Sequence, residues 1–497
     1  MKDKTTLFEY LYENLKEQIV SGRIKCGESL PSMNSVSEQY NIGIRTVKDV
    51  FRALSREGYI KTEERKAAVV IYSDNKDSQE SAVKYVLERK SFIVEVYQTM
   101  ALLMPELFCF SSQVCGQKYL DLWEKTLSRS KKKDTQSRWS VASDFLYDIL
   151  EKSNNLLFRD LFVSLEVYAR LPLFSSHDGF IELVDTKSIG NSMWVMESLL
   201  TGNRSEIIYR FGLMYDAVIN AIQKYLDIMA EKNPNVEEGE YDYSWAAERG
   251  REHYYTQIAR ELIDKIGSGI YKPDTFLPHE AELSEQYGVS VSTVRKAILM
   301  LNELGVAKTF NAKGTKAMLQ NKEMAMKSIK NKKYKRDTLM YLSALQLMTI
   351  TVKAAAESAF QNIDKDVINE LDEKMSCHDS INLDCIQECI NKYVSLRPLK
   401  TILEETGEII YGGYYYAFYR DGSQAANLLN FKSQKAFECL KHGDKKGFAA
   451  KTSECYGHIL KIVRDYLIGY GLTEAKNFVV PELSLIHISE PTRLGMI

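Results

Sequence analysis

The stretch "SEQYNIGIRTVKDVFRALSREGYI", residues 37–60, returns as "SEQYGVSVSTVRKAILMLNELGVA" at residues 284–307. Sliding residues 12–71 onto 259–318 needs no gap, and eighteen of those sixty positions are identical. Among them are Leu15/Leu262, Ser21/Ser268, Gly22/Gly269, Leu30/Leu277, Pro31/Pro278, Thr46/Thr293, Val47/Val294 and Gly58/Gly305. A repeat of this length is one supersecondary unit used twice. It limits the fold more than any bulk property of the 497-residue chain.

Each copy reads the same way. Leu11, Leu15 and Ile19, like Ile258, Leu262 and Ile266, stand at helical spacing and predict a first helix over residues 7–21 and 255–268. Ser-Gly stops it. A connector leads to Leu-Pro, then a short helix is predicted over 35–40 and 282–287, with a turn at Asn41 or Gly288. A longer helix over 45–57 and 292–304 ends on Gly58 or Gly305, the residue type that caps a helix in the left-handed conformation. Two β segments close each copy, 59–62 with 69–72 and 306–309 with 316–319. Helix, turn, helix and β wing together make a winged helix-turn-helix.

That motif lays the N-terminus of its second helix in the major groove of DNA. In the first copy this end carries Arg45, Thr46 and Lys48, with Arg52 and Arg56 further along. In the second it carries Ser290, Ser292, Thr293, Arg295 and Lys296. Arginine and lysine neutralise phosphates or reach guanine, while serine and threonine bond phosphates or base edges. Arg65 and Lys66, then Lys313, Gly314, Thr315 and Lys316, are the wing candidates. Ser32 and Glu280, beside each Leu-Pro, complete the candidate DNA-binding set. The competing reading is a winged helix that binds protein, with these charges merely solvated.

At "SGRIKCGESLPS" and "SGIYKPDTFLPHEAELSEQYGVSVSTVRKAI", each followed by a glycine and a wing, the chain resembles the GntR family of bacterial transcription regulators. The resemblance covers about sixty residues in each copy. It implies a DNA-binding head joined to an effector-sensing domain, acting as a homodimer on a near-palindromic operator. There are departures from the family pattern. The family's Gly-Arg-Gly-Thr wing is nearly kept at Lys313-Gly314-Thr315 but becomes Lys66-Ala67-Ala68 in the first copy. Arginines usual in the family are replaced by Ile44 and Val291, and by Asn34 and Ala281, so operator preference is expected to depart from the family norm.

The segments that follow the two heads also echo one another. Ile207, Phe211, Met214, Val218 and Ile222 trace a helical stripe, and a shift of 241 gives Phe448, Thr452, Cys455, Ile459 and Val463. No strand alternation competes, so helical bundles are expected. "SDFLYDILEKSNNLLFRDL", residues 143–161, resembles the all-helical sensor of the FadR subgroup of GntR regulators. Many such sensors hold a metal through one aspartate and three histidines. Here Asp144 and Asp384 keep the aspartate, but the histidine positions hold Asp148 or Glu388, Ser192 or Ser433, and Met214 or Cys455. No metal and no other cofactor are therefore expected.

Asp144 and Asp148 remain candidates for an organic effector, joined by Tyr415 and Arg420 of the aromatic stretch "YGGYYYAFYR". Aromatic helix packing is the plainer reading of that stretch. The basic runs at 128–134 and 327–336 read as solvated loops, the second with an option on phosphate contact. The acidic stretch "NPNVEEGEYDY", 233–243, reads as the linker between the two halves.

Composition adds limits rather than directions. With 45% hydrophobic and 27% charged residues the balance is that of a globular chain. No run of about eighteen apolar residues suggests a membrane span, and the N-terminus lacks a signal-peptide core, so a cytoplasmic chain is expected. A net charge of −2 means that any nucleic-acid site must come from local charge. Eight scattered cysteines without CxxC read as buried thiols, including Cys385 and Cys389, one helical turn apart, with His378 upstream. "LSLIHISEPTR", residues 483–493, resembles a translated adaptor from DNA library preparation, and 483–497 are set aside from fold reasoning. No GxxxxGK[ST], GxSxG or HExxH occurs, and an enzyme is not expected.

The expected architecture is mainly α, with two winged helix-turn-helix domains (1–74 and 246–320) alternating with two all-helical bundles (75–245 and 321–482). Expected partners are double-stranded operator DNA and a small-molecule effector, with no membrane. The chain would work as a pseudo-dimeric monomer or as a homodimer.

Overall fold

The computed structural model describes residues 7–20, 24, 26–40, 42–63, 66–72, 83–132, 135–169, 192–245, 254–267, 269–318, 332–376, 382–411 and 422–481. The chain divides into two compact units, Met1–Leu319 with Leu396–Glu405, and Gln320–Ser395 with Thr406–Ile497. Arg65, His378, Tyr415, Arg420, residues 327–331 of the basic run at 327–336 and the terminal stretch 483–497 lie outside the described residues.

The first unit begins with α1 (Leu7–Val20), α2 (Met33–Gln39), α3 (Ile44–Arg56), β1 (Ile60–Lys61) and β2 (Val69–Val70). Alpha-helical spacing sorts the side chains of α3. Val47, Val50, Phe51 and Leu54 are buried, and Arg45, Lys48, Arg52 and Arg56 face water. Leu11, Leu15 and Ile19 of α1 close the same core. The second copy repeats the plan with α10 (Tyr254–Gly267), α11 (Glu280–Tyr287), α12 (Val291–Leu304), β3 (Ala307–Phe310) and β4 (Gly314–Ala317). Between the two copies run α4 (Lys90–Cys115), α5 (Gln117–Ser130), α6 (Thr135–Lys152), α7 (Phe158–Ala169), α8 (Ser192–Thr201) and α9 (Arg204–Lys232).

The repeat survives atom by atom. Ser37 Oγ donates to the Ile42 carbonyl at 2.6 Å, and Ser284 Oγ to Val289 at 2.5 Å. The connectors, which carry no alternation to betray them in sequence, each add a single β-bridge to their two-stranded wing. Ser29 bridges Val69 and Phe276 bridges Lys316. Leu30 N donates to Ala68 O and Leu277 N to Thr315 O, both at 2.8 Å. The wings themselves differ. β1 and β2 share two residue pairs, β3 and β4 four. Gly314 at the longer hairpin has φ +105°, a conformation that strains any residue with a Cβ, and Ala67 holds its place in the first copy.

In the first bundle α4 packs against α9, α6 and α7, with the Phe108 ring 5.2 Å from both Phe162 and Phe211. The second unit is built from α13 (Lys332–Ala359), α14 (Lys365–Ser376), α15 (Asn382–Tyr393), α17 (Gly422–Lys441) and α18 (Lys445–Gly469), with α16 (Arg397–Tyr411) contributing its residues beyond Glu405. Its long helices α13 and α18 pair along their length and α17 lies on α18. Lys90–Cys115 and Lys335–Asn362 are long and apolar enough to cross a membrane by length and composition alone, although polar residues interrupt both. Of their apolar windows 61% and 78% are buried within the fold, as befits the central helix of a bundle.

The acidic stretch after α9 corrects the expectation of a linker. It is no free linker but a strap laid on the first bundle. Its side chains alternate, with Tyr243 and Trp245 buried and Glu240 and Asp242 exposed. Trp245 Nε1 donates to Asp160 Oδ2 at 3.0 Å, and Tyr243 OH to Ser164 Oγ at 2.9 Å. The Arg89 guanidinium sits 3.5 Å from the Tyr85 ring centre and 3.9 Å from that of Tyr241. Four acidic residues in the stretch, Glu237, Glu238, Glu240 and Asp242, signal solvent, and the period-two aromatics that overrule them are short enough to miss.

Candidate nucleic-acid interface

The outward stripe of α12 is Ser292, Arg295, Lys296 and Leu299, all exposed. Spaced i, i+3, i+4 and i+7, they share one face of the helix. Local chemistry fixes the start of that face. Ser290 is the N-cap, its Oγ accepting from Thr293 N at 3.3 Å and lying 2.8 Å from Ser292 Oγ and 2.9 Å from Thr293 Oγ1. Arg295 Nε donates to Glu280 Oε2 at 2.7 Å, so a carboxylate from α11 holds the guanidinium while leaving it 67% exposed. Lys313, at the wing tip, is also exposed.

Thr315 does not join this surface. It is 5% exposed, and its hydroxyl lies 3.0 Å from Thr309 Oγ1. Thr309 in turn accepts from Asn302 Nδ2 at 2.8 Å and donates its N–H to Asn302 Oδ1 at 3.0 Å. Asn302 therefore clamps the wing to α12. An asparagine near a helix end carries no signal of its own in sequence, and this one is half-buried.

The first copy presents Arg45, Lys48, Asp49 and Arg52 on the matching stripe. Arg45, Lys48 and Arg52 are exposed and Thr46 is half-buried. Arg52 Nη1 pairs with Asp49 Oδ1 at 3.0 Å. Gly43 stands at the N-cap and supplies no side-chain bond. Ser32 Oγ accepts from Ser35 N at 3.1 Å, so it caps α2, while its counterpart His279 forms a capping box with Glu282. Lys66 pairs with Glu63 at 2.7 Å, and together with Lys61 it holds the Glu63 carboxyl below its ordinary range.

The effector candidates separate. Asp144 is exposed. Asp148 is half-buried and accepts from Trp123 Nε1 at 2.7 Å and from the Tyr119 hydroxyl. Burial, with that hydrogen bond, pushes the Tyr119 phenol up to about 12. In the second unit Glu388 is exposed, Ser433 Oγ lies 3.8 Å from Cys455 Sγ, and Tyr456 OH donates to Gln387 at 2.9 Å. Burial raises the Cys455 thiol to about 11. Among the described residues no group of three or more His, Cys, Asp or Glu is placed to hold a metal.

Two copies of a helix-turn-helix with a β wing, each with a polar or basic stripe on its second helix, define a winged-helix protein. Residues 7–70 and 254–316 both match the family described as bacterial regulatory proteins, gntR family. The gntR-family domain therefore occurs twice in this chain, as a tandem duplication. It is 37% identical over 75 residues to the probable fructoselysine utilization operon transcriptional repressor of Escherichia coli (strain K12), covering 15% of this chain and 31% of that protein. It is 46% identical over 61 residues to the HTH-type transcriptional regulator YurK of Bacillus subtilis (strain 168), 12% of this chain and 25% of that one. The HTH-type transcriptional repressor NagR of the same strain shares 35% over 75 residues, again 15% and 31%. The chain thus spans less than a third of each of these relatives. Among solved structures, Streptococcus agalactiae GntR aligns at 16% identity over 42% of this chain and 99% of its own, with a TM-score of 0.19.

Proposed function

We propose that the protein is a sequence-specific DNA-binding transcription regulator whose two heads act from one chain as a fused pseudo-dimer. One observation carries the reading. The second helix of each head offers an exposed stripe with at least two cations, on a scaffold whose hydrogen bonds repeat at a constant offset of 247 residues. Two such heads meet two half-sites about one helical turn apart. Tethering raises the effective concentration of the second head once the first has bound. The relatives that match the heads are transcriptional regulators and repressors, which supports a regulatory rather than a catalytic role, in the compartment that holds the genome.

The bundles are the sensing elements in this reading. A small molecule that binds one arrangement of the heads better than another shifts the population and so the DNA affinity. Asp148, with its two aromatic donors, is the group best placed to meet an effector among the described residues of the first bundle.

The test is fluorescence anisotropy of the full chain on DNA from upstream of its own gene and on DNA fragments selected from the genome, against scrambled duplex at two salt concentrations. Selective binding that weakens steeply with salt, at one chain per site, is the expected result. Two chains per site would remove the fused pseudo-dimer and keep the regulator. Equal, weak binding to every duplex would overturn the DNA reading in favour of heads that bind protein.

A further inference from the structure

Four positions on the second helix of each head share the spacing i, i+3, i+4 and i+7, the spacing with which a homeodomain's recognition helix reads the major groove. In the second head these are Ser292, Arg295, Lys296 and Leu299. In the first they are Arg45, Lys48, Asp49 and Arg52. Every one of the four differs between heads, while the buried positions between them stay apolar, as Val47/Val294 and Phe51/Ile298 show.

The last position diverges most in chemistry. Leu299 is 58% exposed, an aliphatic side chain held in water on a stripe whose other three members are polar. It contributes little to the core of its own head. Its counterpart Arg52 is a cation tied to Asp49 at 3.0 Å. In the major groove an isobutyl group complements the C5-methyl of thymine, whereas a guanidinium complements the O6 and N7 acceptors of guanine or a phosphate. Asp49 against Lys296 sharpens the contrast, because a carboxylate accepts from cytosine N4 and an ammonium does not.

We propose that the two heads read unlike half-sites, and that Leu299 is the specificity-determining residue that recognises a thymine methyl group in the half bound by the second head. The inference rests on the DNA-binding reading above and deepens it. The preferred operator is then two different words, not an inverted repeat.

The experiment selects bound sequences from a random duplex pool with the full chain, then measures affinity for the winning site with each thymine replaced in turn by deoxyuridine, which removes only the methyl group. At one position of one half, deoxyuridine should weaken the wild-type chain about fourfold, the factor expected for one buried methyl group. Leu299→Gln should bind both duplexes alike and leave the other half-site's preferences unchanged. Because position 299 is on the surface, an unchanged melting curve for this variant confirms that folding is not the cause. Two identical inverted halves, or tolerance of deoxyuridine at every position, overturns the proposal while leaving a DNA-binding protein. A pool with no enriched sequence overturns the DNA reading itself, and the two failures are distinguishable.

Discussion

Three positions inside each head show what duplication preserved and what it let go. In the first head Asn14, Gln18 and Tyr40 form a buried neutral triad: Gln18 Nε2 donates to Asn14 Oδ1 at 2.7 Å and to Tyr40 OH at 3.0 Å, and Tyr40 OH donates to Asn14 at 2.7 Å. In the second head the same places hold Glu261, Lys265 and Tyr287. There Lys265 pairs with Glu261 at 2.7 Å and reaches Tyr287 OH at 3.4 Å. The tyrosine stays, and amide–amide has become carboxylate–ammonium. Two changes that are each damaging alone are compatible together, because every donor still meets an acceptor. The heads therefore share a skeleton of backbone bonds and apolar core, and differ wherever a polar group can be exchanged for another that satisfies the same geometry.

If the apolar core is the shared part, equal damage should follow from equal deletions. Leu54 and Leu301 are both fully buried on the second helix. Leu54→Ala and Leu301→Ala should each destabilise their own head by about 2–5 kcal/mol. Amide hydrogen exchange of the full chain, resolved by peptide, reports each head separately. A large effect in one head with almost none in the other would break the claim of a common scaffold.

The triads should then split. Tyr40→Phe takes one hydrogen bond from each of two buried amides and is expected to cost about 1–3 kcal/mol. Tyr287→Phe leaves the Lys265–Glu261 pair intact, and Lys265 is still partly open to water. About 0.5 kcal/mol or less is expected there. Equal costs would mean that the two triads are held together by the same interactions after all.

Alkali should distinguish the triads as well. The hydrogen bond that Lys265 donates to Glu261 raises the Lys265 pKa, and burial pushes the Tyr287 phenol up to about 12. Both groups bind their proton more tightly folded than unfolded. Their stabilisation is complete below the unfolded values of about 10 and fades as pH rises through the folded ones. Asn14 and Gln18 do not titrate. Exchange protection of the second head should accordingly fall between about pH 10 and 12 in wild type, and fall less in Glu261→Asn/Lys265→Gln, which copies the first head's amides. An identical fall in both chains would remove these groups as its source.

Much of this was legible in the sequence. A gapless repeat with helical spacing is enough to place all three helices of each head, and Gly305 and Gly58 mark where the second helix stops. The polar triads were not legible, since Asn14 and Glu261 look like ordinary surface residues until the helices of each head are packed. Thr315 was misread for a related reason. A threonine at a wing looks like a phosphate ligand, and only the four-pair ladder turns its hydroxyl inward to Thr309. In the bundles, Asp148 and Glu388 share a sequence position, yet Asp148 takes two aromatic donors while Glu388 faces solvent. Partners from other helices decide that difference, and helical periodicity is silent about them.

The smallest expected effect lies at the two N-caps. Ser290 bonds the N-terminus of α12 through its side chain, whereas Gly43 opens α3 with no side chain to offer. Removing the hydroxyl with Ser290→Ala should cost the second head about 1 kcal/mol. Introducing one with Gly43→Ser should leave the first head unchanged or gain a few tenths of a kcal/mol, because glycine is already a fair cap. Gly43 has φ −56°, which serine adopts without strain, and a Cβ there meets nothing within 4 Å. The pair of substitutions thus moves each head toward the other at one residue. If Ser290→Ala also weakens DNA binding more than its stability loss explains, the hydroxyl contacts DNA in addition to capping the helix, and the first head, without that hydroxyl, should contribute less to affinity at every salt concentration.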